Sequence, residues 1–124
     1  MLREVNAIIR SSKWKATSEA LRGAGFLAMT RQRVYGRGRQ KGLRYPSADG
    51  SLGGIPVLPK WMLSIVVEDA DVDAVVEALM ASNRSGEIGD GKIFITRMDG
   101  ALRLSDMKRD AEALDMTLPQ ESGA

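Results

Sequence analysis

KWMLSIVVE, at residues 60–68, carries the clearest secondary-structure pattern in the chain. The apolar side chains that would share one face of this stretch are Trp61, Leu63, Ile65 and Val67. Such alternation among β-branched and aromatic residues predicts a β-strand. Downstream, apolar residues recur at three- and four-residue steps from Val72 to Leu79, which predicts an amphipathic helix that ends near Asn83. Residues 92–97 (KIFITR) predict a further strand, so this half of the chain is a strand–helix–strand unit.

The preceding half has the same order of elements. Residues 2–10 predict a mostly buried strand, residues 13–24 a helix that Gly25 ends, and residues 27–36 a second strand. Between the halves, residues 36–58 hold six glycines and two prolines, which indicates a long loop. This order is typical of the ferredoxin-like split βαβ fold (βαββαβ). That α+β architecture has an antiparallel four-stranded sheet with two helices on one face.

The composition excludes several classes of function. The 124 residues include no cysteine and no histidine, which removes disulfides, thiol catalysis, cysteine-bound zinc and the commonest general base. The acidic residues show no spacing that marks a general acid/base pair, so we expect a binding protein and not an enzyme. No apolar run approaches membrane-spanning length, and residues 1–15 lack the features of a signal peptide. We therefore expect a cytoplasmic protein without stable membrane insertion.

Two glycine-rich segments are candidates for binding an anion. In residues 36–42 (GRGRQKG), arginine and lysine would supply charge-assisted hydrogen bonds to phosphate or carboxylate. In residues 86–92 (GEIGDGK), successive backbone N–H groups would form an anion-binding nest. Either segment could instead be an ordinary solvated loop, because short glycine motifs also arise from turn geometry alone. By itself, Lys60 is the kind of strand-edge lysine that is most often solvated.

Three motifs follow one another along the chain: VYGRGRQKG at 34–42, LPK at 58–60 and RSGEIGDGKIF at 84–94. Together with Ala7-Ile8-Ile9-Arg10 and Met29-Thr30, they resemble the PII family of nitrogen-signalling proteins over about residues 3–104. The third motif is long, and its position behind the other two makes the resemblance specific. In that family the first two motifs bracket a long T-loop, here about residues 38–58. The third motif contains the B-loop, here about residues 84–91.

The resemblance implies a trimer with nucleotide sites, for ATP or ADP, in the clefts between subunits. The B-loop backbone and Lys92 would hold the phosphates, and Arg103 of the C-loop would reach across from a neighbouring subunit. Four positions, Ile8, Thr30, Gly36 and Ser64, would line the adenine and ribose pocket. The full set of nucleotide-binding positions would be Ile8, Thr30, Gly36, Gly38, Arg39, Gln40, Ser64, Gly89, Asp90, Gly91, Lys92 and Arg103.

The resemblance also implies a second effector, 2-oxoglutarate. Its contacts would be Gln40, Lys41, Lys60 and Gly89. The amide oxygen of Gln40 would ligate Mg²⁺, which prefers hard oxygen ligands, and Lys60 would pair with a carboxylate of the effector. Effectors bound at the root of the T-loop would set its conformation for docking on a target. The domain would span residues 1–104, and residues 105–124 would form the rest of the C-loop and a flexible tail.

This chain departs from the family pattern at several positions. The usual C-loop sequence Arg-x-Arg-Thr-Gly is RLSDM here, at 103–107, so Ser105 replaces a phosphate-directed arginine and an acid follows it. The preference between ATP and ADP is therefore left open. Ser64 stands where many members have a glutamate. The T-loop tip, residues 47–54, lacks the tyrosine that enteric members use for uridylylation, so we do not expect that modification.

The expected partners follow from a resemblance to one subgroup of the PII family. Lys13-Trp14, Trp61-Met62-Leu63 and the run GRGRQKGL resemble members encoded in nitrogen-fixation gene clusters. That resemblance implies nitrogenase regulation by a homotrimer, or by a heterotrimer with a paralogous PII subunit. An ammonium transporter is the alternative target within the family.

A ferredoxin-like domain that binds RNA or DNA is the alternative of another class. Residues 31–44 carry six basic residues and no acid, which favours an anionic partner. However, aromatic residues make up only 5% of the chain, and Phe94 is the sole aromatic in the last predicted strand. The stacking platform of RNA-binding sheets is therefore missing, and we do not expect nucleic acid as a partner.

Overall fold

The computed structural model describes residues 1–36 and 57–114. Its main elements are β1 (Leu2–Arg10), α1 (Trp14–Gly23), β2 (Thr30–Gly36), β3 (Leu58–Glu68), α2 (Val72–Asn83) and β4 (Lys92–Met98). A short 3-10 turn precedes each of these helices, and another, Asp110–Ala113, follows β4. The strands form a four-stranded antiparallel sheet in the order β2-β3-β1-β4. The predicted ferredoxin-like α+β fold is confirmed.

The core lies between one face of the sheet and the two helices. The inward side chains of the central strands are at most 3% exposed; they are Val5, Ala7, Ile9, Leu63, Ile65 and Val67. The register places Val5 opposite Ile65 and Ala7 opposite Leu63, so these side chains project from the same face. Leu21 of α1, with Val75 and Leu79 of α2, completes the cluster. Burial of this apolar face against the helices is the main stabilising term of the fold.

A buried polar contact joins the two helices. The side-chain amide of Asn83 donates to Thr17 Oγ1 at 2.9 Å and to the Leu79 carbonyl oxygen at 3.0 Å. The hydroxyl of Thr17 donates in turn to the Lys13 carbonyl oxygen at 2.7 Å. Both side chains are buried, and these hydrogen bonds pair the Asn83 amide nitrogen and the Thr17 hydroxyl, although Asn83 Oδ1 has no hydrogen-bond partner. The contact fixes how α1 and α2 meet.

The second strand begins later than the sequence predicts. Helix α1 ends in a Schellman motif, with the Phe26 N–H donating to the Leu21 carbonyl oxygen at 2.9 Å. Gly25, the predicted helix stop, adopts a φ of +96°, which this motif requires and which glycine tolerates best. The side chain of Phe26 is buried in the core. The chain therefore enters the sheet only at Thr30, and the predicted start at residue 27 is wrong.

The basic run that starts at Arg31 begins in a stacked cluster at the sheet edge. The rings of Trp14 and Trp61 lie 6.3 Å apart between centroids, and the Arg31 Cζ atom lies 4.2 Å from each centroid. Arg33 Cζ lies 4.6 Å from the Trp61 centroid. These are cation–π distances. Arg31 and Arg33 thus have an intramolecular role, which weakens the argument that this run binds nucleic acid.

Candidate functional site

The candidate site lies at the end of the sheet where β1 finishes and β4 begins. In the register, Ile8 pairs with Lys92 and Arg10 pairs with Lys60. On the neighbouring strand, Gly36 pairs with Leu58. We call the residues gathered here the strand-end cluster; they are Ile8, Arg10, Gly36, Lys60 and residues 85–92. The antiparallel topology brings them together from four distant parts of the sequence.

Lys60 is the buried cation of this cluster. Its side chain passes close to Gly36, where a Cβ atom would lie 3.4 Å from Lys60 Cγ. The ammonium donates to the Gly89 carbonyl oxygen at 3.1 Å, and the residue is only 8% exposed. The interpretation of Lys60 as a solvated strand-edge lysine is therefore wrong. Burial, reinforced by Arg10, lowers the pKa of Lys60 below its usual value, while Asp90 acts in the opposite direction.

Arg10 is a cluster residue that the sequence reasoning missed. Its Nη2 atom donates to the Ile88 carbonyl oxygen at 2.7 Å and lies 3.5 Å from Asp90 Oδ1. Arg10 and Lys60 therefore hold two successive carbonyl groups of the predicted B-loop. The signal was present in the motif Ala7-Ile8-Ile9-Arg10, which ends on a cation at the last position of a buried strand.

Asp90 stabilises the B-loop through hydrogen bonds to other residues of the same loop. Its Oδ2 atom accepts the backbone N–H groups of Ser85 at 2.8 Å and Gly86 at 3.0 Å, and its Oδ1 atom accepts the Ser85 hydroxyl. These bonds, with Ser85 contributing most, lower the pKa of Asp90 to about 2. Gly86, the first residue of the predicted anion-binding segment, thus has its amide occupied by a carboxylate of the same loop, and the Glu87 N–H donates to the Ser85 hydroxyl oxygen at 3.1 Å. A bound phosphate would rely on the later part of the segment and on Lys92.

The glycines of the B-loop allow its backbone to lie against β1. Gly86, Gly89 and Gly91 all have positive φ, a conformation that glycine adopts without steric cost. The closest approach is at Gly91, where an added Cβ atom would lie 1.8 Å from the Ile8 carbonyl oxygen. Only glycine fits at position 91, and this fixes the loop next to the strand-end cluster.

Three other predicted nucleotide-binding residues are not members of the strand-end cluster. Thr30 and Ser64 face each other on β2 and β3, where the Ser64 hydroxyl donates to Asn6 Oδ1. Arg103 lies in the turn after β4 and donates to Asp106 Oδ2 at 3.0 Å. The structure therefore brings together Ile8, Gly36, Lys60, Gly89, Asp90, Gly91 and Lys92. Thr30 and Ser64 lie further along the sheet, with Ser64 opposite Asn6, two residues from Ile8, and Arg103 follows the far end of β4.

Four predicted binding residues lie outside the described residues: Gly38, Arg39, Gln40 and Lys41. Within residues 1–36 and 57–114, no group of acidic side chains is arranged to hold a metal ion. The prediction of a Mg²⁺ ligand therefore rests on Gln40.

In the part of the chain that the structure describes, no helix has both the length and the apolar character needed to cross a membrane.

A family model and several named proteins are similar to this chain. A family model described as nitrogen regulatory protein P-II matches residues 2–108. The chain is 41% identical over 121 residues to a protein of Methanothermobacter marburgensis named nitrogen fixation nifHD region GlnB-like protein 2; the match covers 91% of this chain and 100% of the relative. It is 43% identical over 115 residues to the nitrogen regulatory protein P-II of Synechocystis sp., with the same coverage of 91% and 100%.

A second protein of M. marburgensis is also similar. It is named nitrogen fixation nifHD region GlnB-like protein 1 and is 42% identical over 100 residues. That match covers 81% of this chain and 90% of the relative. Two proteins of one organism, numbered 1 and 2, thus resemble this chain.

Proposed function

This chain belongs to the P-II family of nitrogen regulatory proteins, and on that premise we propose that it is a non-enzymatic sensor of ATP or ADP and 2-oxoglutarate. The observation that carries the proposal is the hydrogen bond from Lys60 to the Gly89 carbonyl oxygen. Lys60 stands where the chain leaves the T-loop, and Gly89 belongs to the loop proposed to hold nucleotide phosphates. One side chain therefore connects the two proposed binding regions.

The charges of the strand-end cluster support a dicarboxylate as the second effector. Arg10 and Lys60 face one another across β1 and β3, and Arg10 makes the protonated form of Lys60 less favourable. Asp90 lies 3.5 Å from Arg10 and also accepts hydrogen bonds from Ser85 and Gly86. A carboxylate of 2-oxoglutarate would add negative charge beside the two cations, since a hydrogen-bonded anion favours the charged form of lysine.

The B-loop supports the nucleotide part of the proposal. It presents glycine backbone next to Lys92, which is exposed at the start of β4 and free to meet a phosphate from solvent. Asp90 does not oppose such binding strongly, because Arg10 and two backbone amides already offset its charge. Mg²⁺ bound with ATP would neutralise phosphate charge and accept an oxygen ligand from Gln40. The roles of Gly38, Arg39 and Lys41 belong to the same proposal.

A complete site would need residues of more than one subunit. Arg103 lies in the turn that follows the end of β4 far from the strand-end cluster, so a neighbouring copy is the natural source of its phosphate contact. The sheet face opposite the helices also carries apolar side chains, including Phe94, which is 49% exposed. We therefore propose a trimer. The numbered pair of relatives in M. marburgensis supports a mixed trimer with a paralogous subunit as well as a homotrimer.

The proposed target is nitrogenase, reached through the T-loop. The names of the M. marburgensis and Methanococcus maripaludis relatives place those proteins in a nitrogen fixation nifHD region. Affinity purification from nitrogen-fixing cells, with and without added 2-oxoglutarate, tests this target. We expect nitrogenase subunits to be recovered in an effector-dependent manner. Recovery of an ammonium transporter in their place would redirect the proposal to that target.

Nucleotide binding is tested by calorimetry with ATP and ADP. We expect Lys92→Gln to weaken binding about tenfold or more, because a charge-assisted hydrogen bond to phosphate is lost. The matched control is Lys15→Gln, which removes an exposed lysine of α1 and should leave the affinity unchanged. Failure of the wild-type protein to bind either nucleotide would overturn the proposed function.

A further inference from the structure

The chain after β4 folds into a closed turn around Arg103. The Arg103 N–H donates to the Lys108 carbonyl oxygen at 2.9 Å, and the Met107 N–H donates to the Arg103 carbonyl oxygen at 2.8 Å. Leu102 and Arg109 form an isolated antiparallel bridge at the base of the turn. The backbone of the turn is therefore fixed by its own hydrogen bonds.

The guanidinium of Arg103 points back into this turn. Its Nη1 atom donates to Asp106 Oδ2 at 3.0 Å, and its Nη2 atom donates to the Glu112 carbonyl oxygen at 2.7 Å. The other carboxylate oxygen of Asp106 accepts the Lys108 N–H at 3.1 Å. Asp106 is thus held at both oxygens, and it occupies a guanidinium donor of Arg103 that could otherwise bind an oxyanion.

We propose that Asp106 is an internal competitor for the nucleotide phosphate at Arg103. This inference rests on the proposed function, in which Arg103 contacts a phosphate. A phosphate that reaches the Nη1 atom must displace the Asp106 carboxylate or share the guanidinium with it. Because Ser105 brings no charge, Arg103 and Asp106 together leave the segment 103–107 with no net charge. Asp106 therefore offsets the attraction of Arg103 for a phosphate, while Lys108 and Arg109 keep the whole turn net positive.

The competition acts more strongly on ATP than on ADP. A triphosphate brings more negative charge to the turn than a diphosphate does, so repulsion by the Asp106 carboxylate is larger. Hydrogen bonding from Lys108, followed by the charge of Arg103, lowers the pKa of Asp106, so the carboxylate stays ionised at neutral pH. Asp106 thereby becomes a residue that determines the choice between the two nucleotides.

A purely structural role for Asp106 makes a different prediction. If the ion pair only stabilises the turn, its removal lowers the melting temperature and leaves nucleotide affinity unchanged or reduced. If Asp106 competes, its removal raises the affinity for ATP. The variant Asp106→Asn separates these roles, because an amide oxygen still accepts the Lys108 N–H and preserves the turn.

The experiment is calorimetry of ATP and ADP, both at the same Mg²⁺ concentration, with the wild-type protein, Asp106→Asn, Asp106→Ser and Asp99→Asn. Loss of a partly exposed ion pair should tighten ATP binding about two- to fivefold in both Asp106 variants, with a smaller effect on ADP. Asp99→Asn removes the same charge from an exposed position before the turn and should change neither affinity.

The outcomes distinguish the inference from the proposed function. ATP binding that is weakened by Lys92→Gln but is not tightened by either Asp106 variant would overturn the competition alone. Equal tightening by Asp99→Asn would also overturn it, because a general charge effect would then suffice. Absence of nucleotide binding by the wild-type protein would overturn both.

Discussion

The ammonium of Lys60 donates a hydrogen bond to the carbonyl oxygen of Gly89, 29 residues further along the chain, at 3.1 Å. This bond joins β3, which follows the T-loop, to the B-loop that precedes β4. A ligand that draws Lys60 away from Gly89 would change the B-loop, and a ligand on the B-loop would change Lys60. We therefore expect the proposed 2-oxoglutarate and nucleotide sites to be coupled, with the same coupling free energy in both directions.

Gly91→Ala should disrupt the contact between the B-loop and β1. The new Cβ atom would lie 1.8 Å from the Ile8 carbonyl oxygen, at a φ of +112° that alanine rarely adopts. We expect the free energy of unfolding to fall by about 2–4 kcal/mol, as for other substitutions that force backbone movement. Urea denaturation measures this change.

Gly86→Ala is the matched control. Gly86 also has a positive φ, +85°, but no atom lies within 4 Å of an added Cβ. Only the backbone strain remains there, about 1–2 kcal/mol. An equal fall in the free energy of unfolding for both variants would show that the close approach of Gly91 to Ile8 does not contribute to the effect.

Asp90 should make the stability of the protein sensitive to acid. The pKa of its carboxyl is lowered from 3.8 to about 2 in the folded protein. A lowered folded pKa means that the stabilisation is fully present above the ordinary pKa and is lost as the pH falls towards about 2. We therefore expect the melting temperature of the wild-type protein to fall between pH 4 and pH 2 by more than that of Asp90→Asn.

The control for Asp90 is Asp73→Asn, which changes an exposed acid at the start of α2. Its melting temperature should follow the wild-type profile through the same pH range. Parallel profiles for wild type and Asp90→Asn would contradict the assignment of Asp90 as the charged organiser of the B-loop.

Arg31→Lys should lower stability although it keeps the charge. Lysine cannot lie flat between Trp14 and Trp61 as the guanidinium does at 4.2 Å from each ring centroid. Two exposed cation–π contacts predict a loss of about 1 kcal/mol in the free energy of unfolding, together with a change in tryptophan fluorescence. Arg22→Lys, at an exposed position of α1, serves as the comparison and should change neither quantity. The same stability and fluorescence in both variants would contradict a stabilising role for the stacking of Arg31 on the two tryptophans.

Local patterns in the sequence were sufficient to predict most of the fold. Apolar residues alternate in β1 and β3 and recur at three- and four-residue steps in α2. These spacings indicate which side of each element faces the core, because residues on one face repeat with the period of the strand or helix. The start of β2 was missed because the Schellman motif and the buried Phe26 depend on how α1 meets the sheet.

The candidate site was only partly predictable. Resemblance to the PII family named Lys60 and Gly89, but the burial of Lys60 depends on a loop 29 residues away and leaves no local signal. Arg10 ends the motif at residues 7–10, but that motif does not reveal its contacts with the B-loop, because its partners, Ile88 and Asp90, are distant in sequence. The sequence places Asp106 near Arg103, but their hydrogen bond could not be predicted because it depends on how the turn folds. The ligand roles of Gly38, Arg39, Gln40 and Lys41 stay predictions.

The proposed coupling through Lys60 is tested by calorimetric titration of 2-oxoglutarate into the protein saturated with Mg-ATP. We expect the affinity for 2-oxoglutarate to fall when the nucleotide is omitted. We also expect it to fall about tenfold or more in Lys60→Gln, since a buried charge-assisted hydrogen bond is lost. Lys15→Gln should bind 2-oxoglutarate as the wild-type protein does. Absence of 2-oxoglutarate binding, or equal binding by wild type and Lys60→Gln, would contradict the proposal.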